Sequence, residues 1–415
     1  MRNQTDAFAT TQTHNAEALR ILFLCNSHVW GGAEAYVYVV AGALAAHGHH
    51  CWIASPPGSP LFAAASALDG VAALPFDMGP KLGHRTVADF VMHSRRYRTR
   101  IRELLVECQY AHGIDVLHVQ FKKEQMLATA VAERLGIPVV WTEHGPLPTP
   151  LARLFPARSL YRRSARIPQC ILCVSDVVST DLREHGVPAS SLVVCYNGVD
   201  VKEPAGSAAG MRVRDEFGIP AGARVVGMLA RLARTKGHDL LLAGAPEIVR
   251  RVPKAWFLFA GDGPTRDRLH HQADRLGVGK RVVFAGHRND VPAMLAAMDV
   301  VASPSRTEGH PFSVLEAMAA KVPVVGTRVG GIPEALGHGQ AGVVVPPDDV
   351  RALSREIASL LDSPTRCATL GLAGRRRVLA HFTTDLMMRS TENVFSAAAH
   401  RAPGHAATRA PVAVG

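Results

Sequence analysis

Short apolar runs alternate with stretches of helical periodicity along this chain, and after residue 200 the alternation starts afresh. That doubled strand-then-helix order leaves few folds open. Parallel strands joined by crossover helices are covered on both faces, so they read as continuous apolar runs. In the first half, residues 20–25, 51–54, 115–119, 139–142 and 192–196 read as strands. In the second half, residues 225–229, 255–260, 282–285, 300–301, 322–326 and 342–345 do. Helical spacing fills most intervals, as at 87–105, 125–135, 237–249, 265–276 and 311–320. The pattern predicts an α/β protein with two doubly wound sheets. The 415 residues suffice for two such domains. The boundary falls at residues 197–210, where Asn197-Gly198, Pro204 and a run of small residues punctuate the chain. The expected division is 19–200, 211–383, and a last helix, 384–398. Residues 1–18 and 399–415 are polar or Ala/Pro-rich and are expected to be disordered.

Composition excludes several classes. Apolar residues make up 47% and charged residues 20%, which rules out a disordered chain. Seven cysteines, an odd number set mostly in apolar runs, fit free thiols in a reducing compartment. Cys170 and Cys173 have redox spacing, but in a strand they point to opposite faces. The apolar run at 21–25 is shorter than the roughly 7–15 residues of a signal peptide. The run at 35–46 is shorter than the ~20 residues of a membrane span. The expectation is a cytoplasmic protein. The formal charge of +11 is uneven. Residues 81–102 hold seven basic side chains and one acid, and residues 153–166 hold five basic side chains and no acid. Such patches suit an anionic partner, or are solvated helix faces. With 6% aromatics and no zinc-ligand spacing, nucleic acid is not the expected partner.

Ligands of doubly wound sheets bind beyond the carboxyl ends of the strands, so loops that follow strands carry the candidate chemistry. Gly31-Gly32 follows the first strand and lets a ligand approach the backbone of the next helix; it is also compatible with a plain tight turn. Arg231 and Lys236 share the loop after the first strand of the second half. They suit a diphosphate, as a fork and a point charge, or are two solvated cations. Gly261-Asp262-Gly263 follows the next strand as a turn. Glu308, Gly309, His310 and Pro311 lead into a helix whose free amides at Phe312 and Ser313 suit a phosphate. Glu316 lies eight residues beyond Glu308, and carboxylates beside an anion site are costly unless hydroxyl groups bond to them. His144 follows the strand ending at Thr142 and would point into the same cleft from the other half, or is a structural histidine.

In this order, Gly31-Gly32-Ala33-Glu34, His144-Gly145, Asn197-Gly198-Val199-Asp200, Arg231-Leu232 with Lys236-Gly237, Gly261-Asp262-Gly263 and the E-x7-E of Glu308 to Glu316 resemble the retaining family-4 glycosyltransferases. Glu316-Ala317-Met318-Ala319, Pro323-Val324-Val325 and Gly330-Gly331 extend the resemblance, which covers residues 20–350. It implies the GT-B fold, two facing Rossmann-like domains with the acceptor on the first and a nucleotide-sugar on the second. Arg231 and Lys236, with Gly32, Phe312 and Ser313, would hold the donor diphosphate of a UDP- or GDP-sugar. Glu316 would bind ribose. Glu308 would contact the transferred sugar, and His144 would lie near the reacting carbon. Gly31, Gly309 and His310 would line the sugar side. No metal is implied, and the chain has no D-x-D.

The resemblance implies a same-face substitution in which the leaving phosphate helps deprotonate the acceptor, and the expected function is sugar transfer to a glycan or lipid-linked glycan in envelope polysaccharide or glycoconjugate synthesis. Arg153, Arg158, Arg162, Arg163 and Arg166, with Leu151, Leu154, Phe155, Leu160 and Tyr161, would suit peripheral docking on an anionic membrane face. Many relatives read Glu-Gly-Phe-Gly-Leu where this chain has Glu-Gly-His-Pro-Phe, so Pro311 removes an amide and donor identity stays open. A sugar-nucleotide 2-epimerase and a non-catalytic anion- or membrane-binding protein are the competing readings.

Overall fold

The computed structural model describes residues 17–79, 87–147 and 155–400. Seven parallel strands form the first sheet: β1 (Arg20–Leu24), β2 (His50–Ser55), β3 (Val71–Pro75), β4 (Val116–Val119), β5 (Val139–Glu143), β6 (Cys170–Cys173) and β7 (Leu192–Val194). Their order is β3-β2-β1-β4-β5-β6-β7. Six parallel strands form the second: β8 (Arg224–Leu229), β9 (Ala255–Ala260), β10 (Val282–Gly286), β11 (Val300–Ser303), β12 (Val324–Thr327) and β13 (Val343–Val345), in the order β10-β9-β8-β11-β12-β13. In each sheet the order reverses once, at β1/β4 and at β8/β11. Those two reversals open the crevices in which such sheets take ligands.

Alternation of side chains sorts the core. Leu22 and Leu24 face one layer of the first domain, while Ile21, Phe23 and Cys25 face the other. Cys173 and Cys170 divide the same way, and all seven cysteines are free thiols. Burial pushes the Cys173 thiol well up, the opposite of what a redox cysteine needs. In the second domain Leu258 and Ala260 face one layer, and Phe257 and Phe259 the other.

Three departures from the sequence pattern have physical causes. β3 is an edge strand, only partly buried, so its apolar pattern is weak. The Asp176–Glu184 helix has only two buried side chains, Val178 and Leu182, and starts on the Ser175 cap. The Ser207–Glu216 helix begins within the small-residue run that read as a linker. There Gly210 lies against the carbonyl of Ala296, where a β-carbon would sit 2.2 Å from the oxygen. Small residues mark a close helix crossing at that point, not a flexible link. The expected disordered tails lie outside the described residues, apart from 17–18 and 399–400.

The chain returns to its first domain at the end. Val199 donates to the carbonyl of Phe382, and Thr384 donates to that of Val199. The Thr384–His400 helix then lays Met387, Met388, Phe395 and Ala398 against Ile21, Phe23, Tyr36 and Val37. His49 accepts from the Leu19 amide at Nδ1, 3.0 Å, so its Nε2–H donates to Glu392, 2.9 Å. Among the described residues, no helix is long and apolar enough to cross a membrane. Phe395 is fully buried beside Phe23 and His118. Phe395→Ala is expected to lower unfolding free energy by ~3–5 kcal/mol in a urea titration. Leu386→Ala, at a side chain 38% exposed on the same helix, is expected to cost less than ~1 kcal/mol.

Candidate active site

The loops after β8 and β11, neighbours at the second crevice, bring together residues far apart in sequence. Lys236 ends a short 3-10 turn, Arg234–Lys236, and its ammonium donates to both Glu308 oxygens at 2.7 and 2.9 Å. The Ser305 hydroxyl donates to Glu308 Oε1 at 2.7 Å. Arg306 clamps the two loops together. It donates to both oxygens of Asp239 at 2.9 and 3.0 Å and to the Arg234 carbonyl at 2.8 Å. Leu232 donates to the carbonyl of Asp262, which ties the Arg231 loop to the Gly-Asp-Gly turn. The Arg231 side chain is exposed and, among the described residues, makes no ion pair or hydrogen bond. An ammonium has three donors and Glu308 takes two, so one N–H of Lys236 is unused.

Pro311 is the N-cap rather than the first helical residue, and the helix is Phe312–Ala319. The amide of Val314 is bonded to Pro311, whereas those of Phe312 and Ser313 make no hydrogen bond. Two free amides at a helix start form an anion-seeking pair. Glu316, one turn further, is half-buried, and among the described residues its carboxylate has no hydrogen-bond partner. Burial raises its carboxyl pKa, which makes hydroxyl donors favourable company. Lys236 and Glu308 therefore meet directly across the two loops, and Phe312, Ser313 and Glu316 lie on the helix that follows Glu308.

The first domain faces it. A β-carbon on Gly32 would lie 3.8 Å from the Phe312 ring, so the Gly31-Gly32 turn stands opposite that helix start. His144 follows β5. Its Nε2 lies 2.8 Å from Gln120 Oε1 and its ring meets the Tyr36 ring edge at 5.0 Å. Gln120 Nε2 donates to the Ala33 carbonyl at 3.1 Å, which turns its oxygen toward His144 and makes His144 Nε2 the donor. Gln120 and Arg306 carry no local sequence signal because their partners are distant in the chain, whereas Ser305 lies three residues before Glu308 and shows only as a common loop serine.

Gly309 seats the two domains. A β-carbon there would lie 2.1 Å from the carbonyl oxygen of His144. It therefore fixes the approach of the domains as well as bordering the cleft. His310 departs from its expected place on the sugar side. Its ring is 3% exposed and packed against Tyr196 and Phe382, at centroid distances of 5.2 and 4.9 Å. Its carbonyl accepts from Asn197 Nδ2 at 2.7 Å, so the Asn-Gly motif supports this loop.

The basic patch is also reordered. Arg153, Leu151 and Leu154 lie outside the described residues. Tyr161 is fully buried, not part of an apolar docking face. Its hydroxyl donates to Glu143 at 2.7 Å, and Lys122 pairs with the same carboxylate directly behind His144. Arg162 and Arg158 are half-buried, with Arg162 laid over Gly186, and only Arg163 and Arg166 are exposed. The Val87–His112 helix carries the freer charge, with Arg95, Arg96, Arg98, Arg100 and Arg102 all exposed. Among the described residues, no group of three His, Cys, Asp or Glu side chains is placed to hold a metal ion.

Three buried histidines give the molecule a pH dependence. Burial holds His118 at a pKa of about 3, His238 at about 4 and His310 at about 3. The nearby His144 and Arg377 lower the first and last further. The unfolded chain titrates near 6.5, so it binds more protons than the native state below that pH. Stability present at pH 7 is thus lost as pH falls from about 6.5 toward 4, by up to ~1.4 kcal/mol per pH unit per histidine. Both ring nitrogens of His310 lack partners. His310→Phe is expected to keep stability at pH 7 and to flatten the loss at pH 5, as read by urea unfolding at the two pH values.

Two family models match the chain in sequence order. Glycosyltransferase Family 4 covers residues 30–203, and Glycosyl transferases group 1 covers residues 212–377. A GDP-mannose-dependent alpha-(1-6)-phosphatidylinositol monomannoside mannosyltransferase of Mycolicibacterium smegmatis is 36% identical over 54% of this chain and 61% of its own length. A D-inositol 3-phosphate glycosyltransferase of Segniliparus rotundus is 30% identical over 66% of this chain and 64% of its own. The chain thus spans less than two thirds of these curated relatives. Anabaena Alr3699/HepE, solved with UDP and glucose, superposes with a TM-score of 0.77 over 91% of this chain and 99% of that one, at 23% identity. The two models fall on the two sheets in turn, and the superposition spans both domains and the crevice between them: the chain belongs to the family-4 glycosyltransferases of the GT-B fold.

Proposed function

We propose that the protein transfers a sugar from a nucleotide-sugar bound on the second domain to an acceptor bound on the first, with retention of configuration. The observation that carries this reading is the composition of the crevice. An arginine with an unpartnered side chain, a lysine with one unused donor and two unpaired helix amides belong to the loops and helix start that also carry two carboxylates, one of them with no side-chain partner. Cations and amides suit a diphosphate, and the carboxylates suit hydroxyls, so the set fits a sugar nucleotide better than either charge type alone fits an anion or a cation.

In this reading the diphosphate lies between Arg231, Lys236 and the amides of Phe312 and Ser313. Ribose bonds to Glu316, and Glu308 accepts from a hydroxyl of the sugar while keeping Lys236. Departure of the diphosphate breaks the bond from the anomeric carbon to phosphate oxygen. The acceptor oxygen bonds to that carbon on the same face, and its proton passes to the departing phosphate. Arg231 and Lys236 stabilise the charge that grows on the leaving group. His144, held by Gln120, presents its backbone and ring edge to the sugar side. No metal is assigned a part.

The donor is a UDP- or GDP-sugar. The mannosyltransferase relative is named for GDP-mannose and the structural neighbour was solved with UDP and glucose, so both bases are tested. The acceptor is a glycan or lipid-linked glycan of envelope polysaccharide or glycoconjugate synthesis, met at the cytoplasmic face of an anionic membrane. Arg163 and Arg166, with the arginines of the Val87–His112 helix, supply the attraction.

Thermal unfolding with UDP, GDP, ADP and their sugar conjugates, without metal, tests the donor site. At ~100 Kd, one of these is expected to stabilise the protein by ~2.7 kcal/mol. Arg231→Ala and Glu316→Ala are each expected to lose that shift, and Lys236→Ala to slow turnover ~100-fold or more. No shift with any nucleotide from a folded sample contradicts the reading.

A further inference from the structure

One interaction across the domains is not explained by substrate binding. Glu334, in the short Ile332–Ala335 helix of the second domain, is 7% exposed. Its carboxylate reaches the first domain, where Oε2 accepts from the amide of Asp176 at 2.8 Å and Oε1 from that of Val177 at 2.9 Å. These are the first two amides of the Asp176–Glu184 helix. The third, of Val178, is bonded to the helix's own cap Ser175 at 3.3 Å. One domain therefore completes the N-terminus of a helix in the other, with an acid at the positive end of the helix dipole.

The contact continues into the site. The Gly331 amide donates to the Gly309 carbonyl, and a β-carbon on Gly331 would lie 3.0 Å from that of Ser175. Gly309 in turn rests on the His144 carbonyl and follows Glu308 directly. Arg377 donates to the carbonyls of Glu334 and Ala335 at 2.8 and 3.0 Å, which fixes the short helix from behind. Tyr196 donates to Asp176 Oδ2 at 2.8 Å on the first-domain side. Every link from Glu334 to the Glu308–Gly309 segment is backbone or buried, so a shift at one end is carried to the other.

We propose that Glu334 is a positioning residue for sugar transfer: its carboxylate latches the second domain onto the Asp176–Glu184 helix and so sets the distance at which Glu308 faces His144. This rests on the transferase reading above. Glu334 touches neither nucleotide nor sugar. It acts by holding closed the crevice whose two walls belong to different domains. A carboxylate is required because both of its oxygens accept. In Glu334→Gln, the amide nitrogen would face one of the two N–H groups, so a single bond remains.

The test compares wild type with Glu334→Ala and Glu334→Gln in three measurements. These are small-angle X-ray scattering without ligand, the Kd of whichever of UDP or GDP stabilises wild type, and hydrolysis of the corresponding nucleotide-sugar, which is transfer to water. The nucleotide touches the second domain, so its Kd is expected to stay within about twofold. The radius of gyration is expected to rise and kcat to fall about tenfold or more, with the smaller change in the Gln variant. Unchanged scattering, unchanged kcat, or a kcat loss matched by an equal loss of nucleotide affinity overturns the proposal; the last marks a local fold defect. If wild type binds no nucleotide, the transferase reading fails by itself. The scattering comparison then still decides whether the latch exists.

Discussion

The close seating of Gly309 on the carbonyl of His144 is the constraint on which the rest of the site depends. No β-carbon fits there, so the two domains approach backbone to backbone at this point, with the Val174 side chain beside the contact. Around that point each domain offers what the other lacks. The first contributes a glycine turn, an oriented histidine and the end of a short strand. The second contributes cations, free amides and carboxylates. The chain's return through the Thr384–His400 helix packs its end onto the first domain and so ties the two halves together.

Electrostatics in the second crevice follows from the same economy of partners. Glu308 is deep and is bound by Lys236 and Ser305, so it is a fixed acceptor rather than a mobile charge. Lys236 keeps a donor in reserve. Arg231 and Glu316 have no protein partner and are the groups a ligand would complete. Behind the site, the basic side chains that a cleft could otherwise protonate are held neutral by burial. Burial lowers the pKa of His118 and of His310 to about 3, so neither adds positive charge at neutral pH. The Lys122–Glu143–Tyr161 network plays the matching part on the first domain, anchoring the end of β5 from which His144 projects.

Much of this was legible in the sequence, because parallel sheets announce themselves as apolar runs and their ligands sit after the strands. The loops carrying Arg231, Lys236, Glu308 and His144 could be placed from strand order alone. The Cys170–Cys173 pair could be set aside from strand periodicity. Features set by tertiary approach could not be read. β3 is half exposed and its pattern dilute. Gly210 looks like linker chemistry and is a helix crossing. Tyr161 and Arg162 share the basic Phe155–Ser164 helix with Arg163, and Arg166 follows in the next turn, but spacing does not say which side faces the core. Glu334 and Gln120 carry no motif signal for their contacts, since those partners lie 158 and 24 residues away in sequence. His310 was expected on the sugar side because its neighbours are there, and its ring turns the other way because Tyr196 and Phe382 leave it an aromatic slot.

If the second crevice is built for a sugar nucleotide, a crystal of the protein soaked with the nucleoside diphosphate that stabilises it will show phosphate oxygens against Arg231, the third donor of Lys236 and the amides of Phe312 and Ser313, with ribose hydroxyls on Glu316 and the Lys236–Glu308 pair intact. A nucleotide bound elsewhere, or one in this crevice with Glu316 left facing solvent, would contradict it.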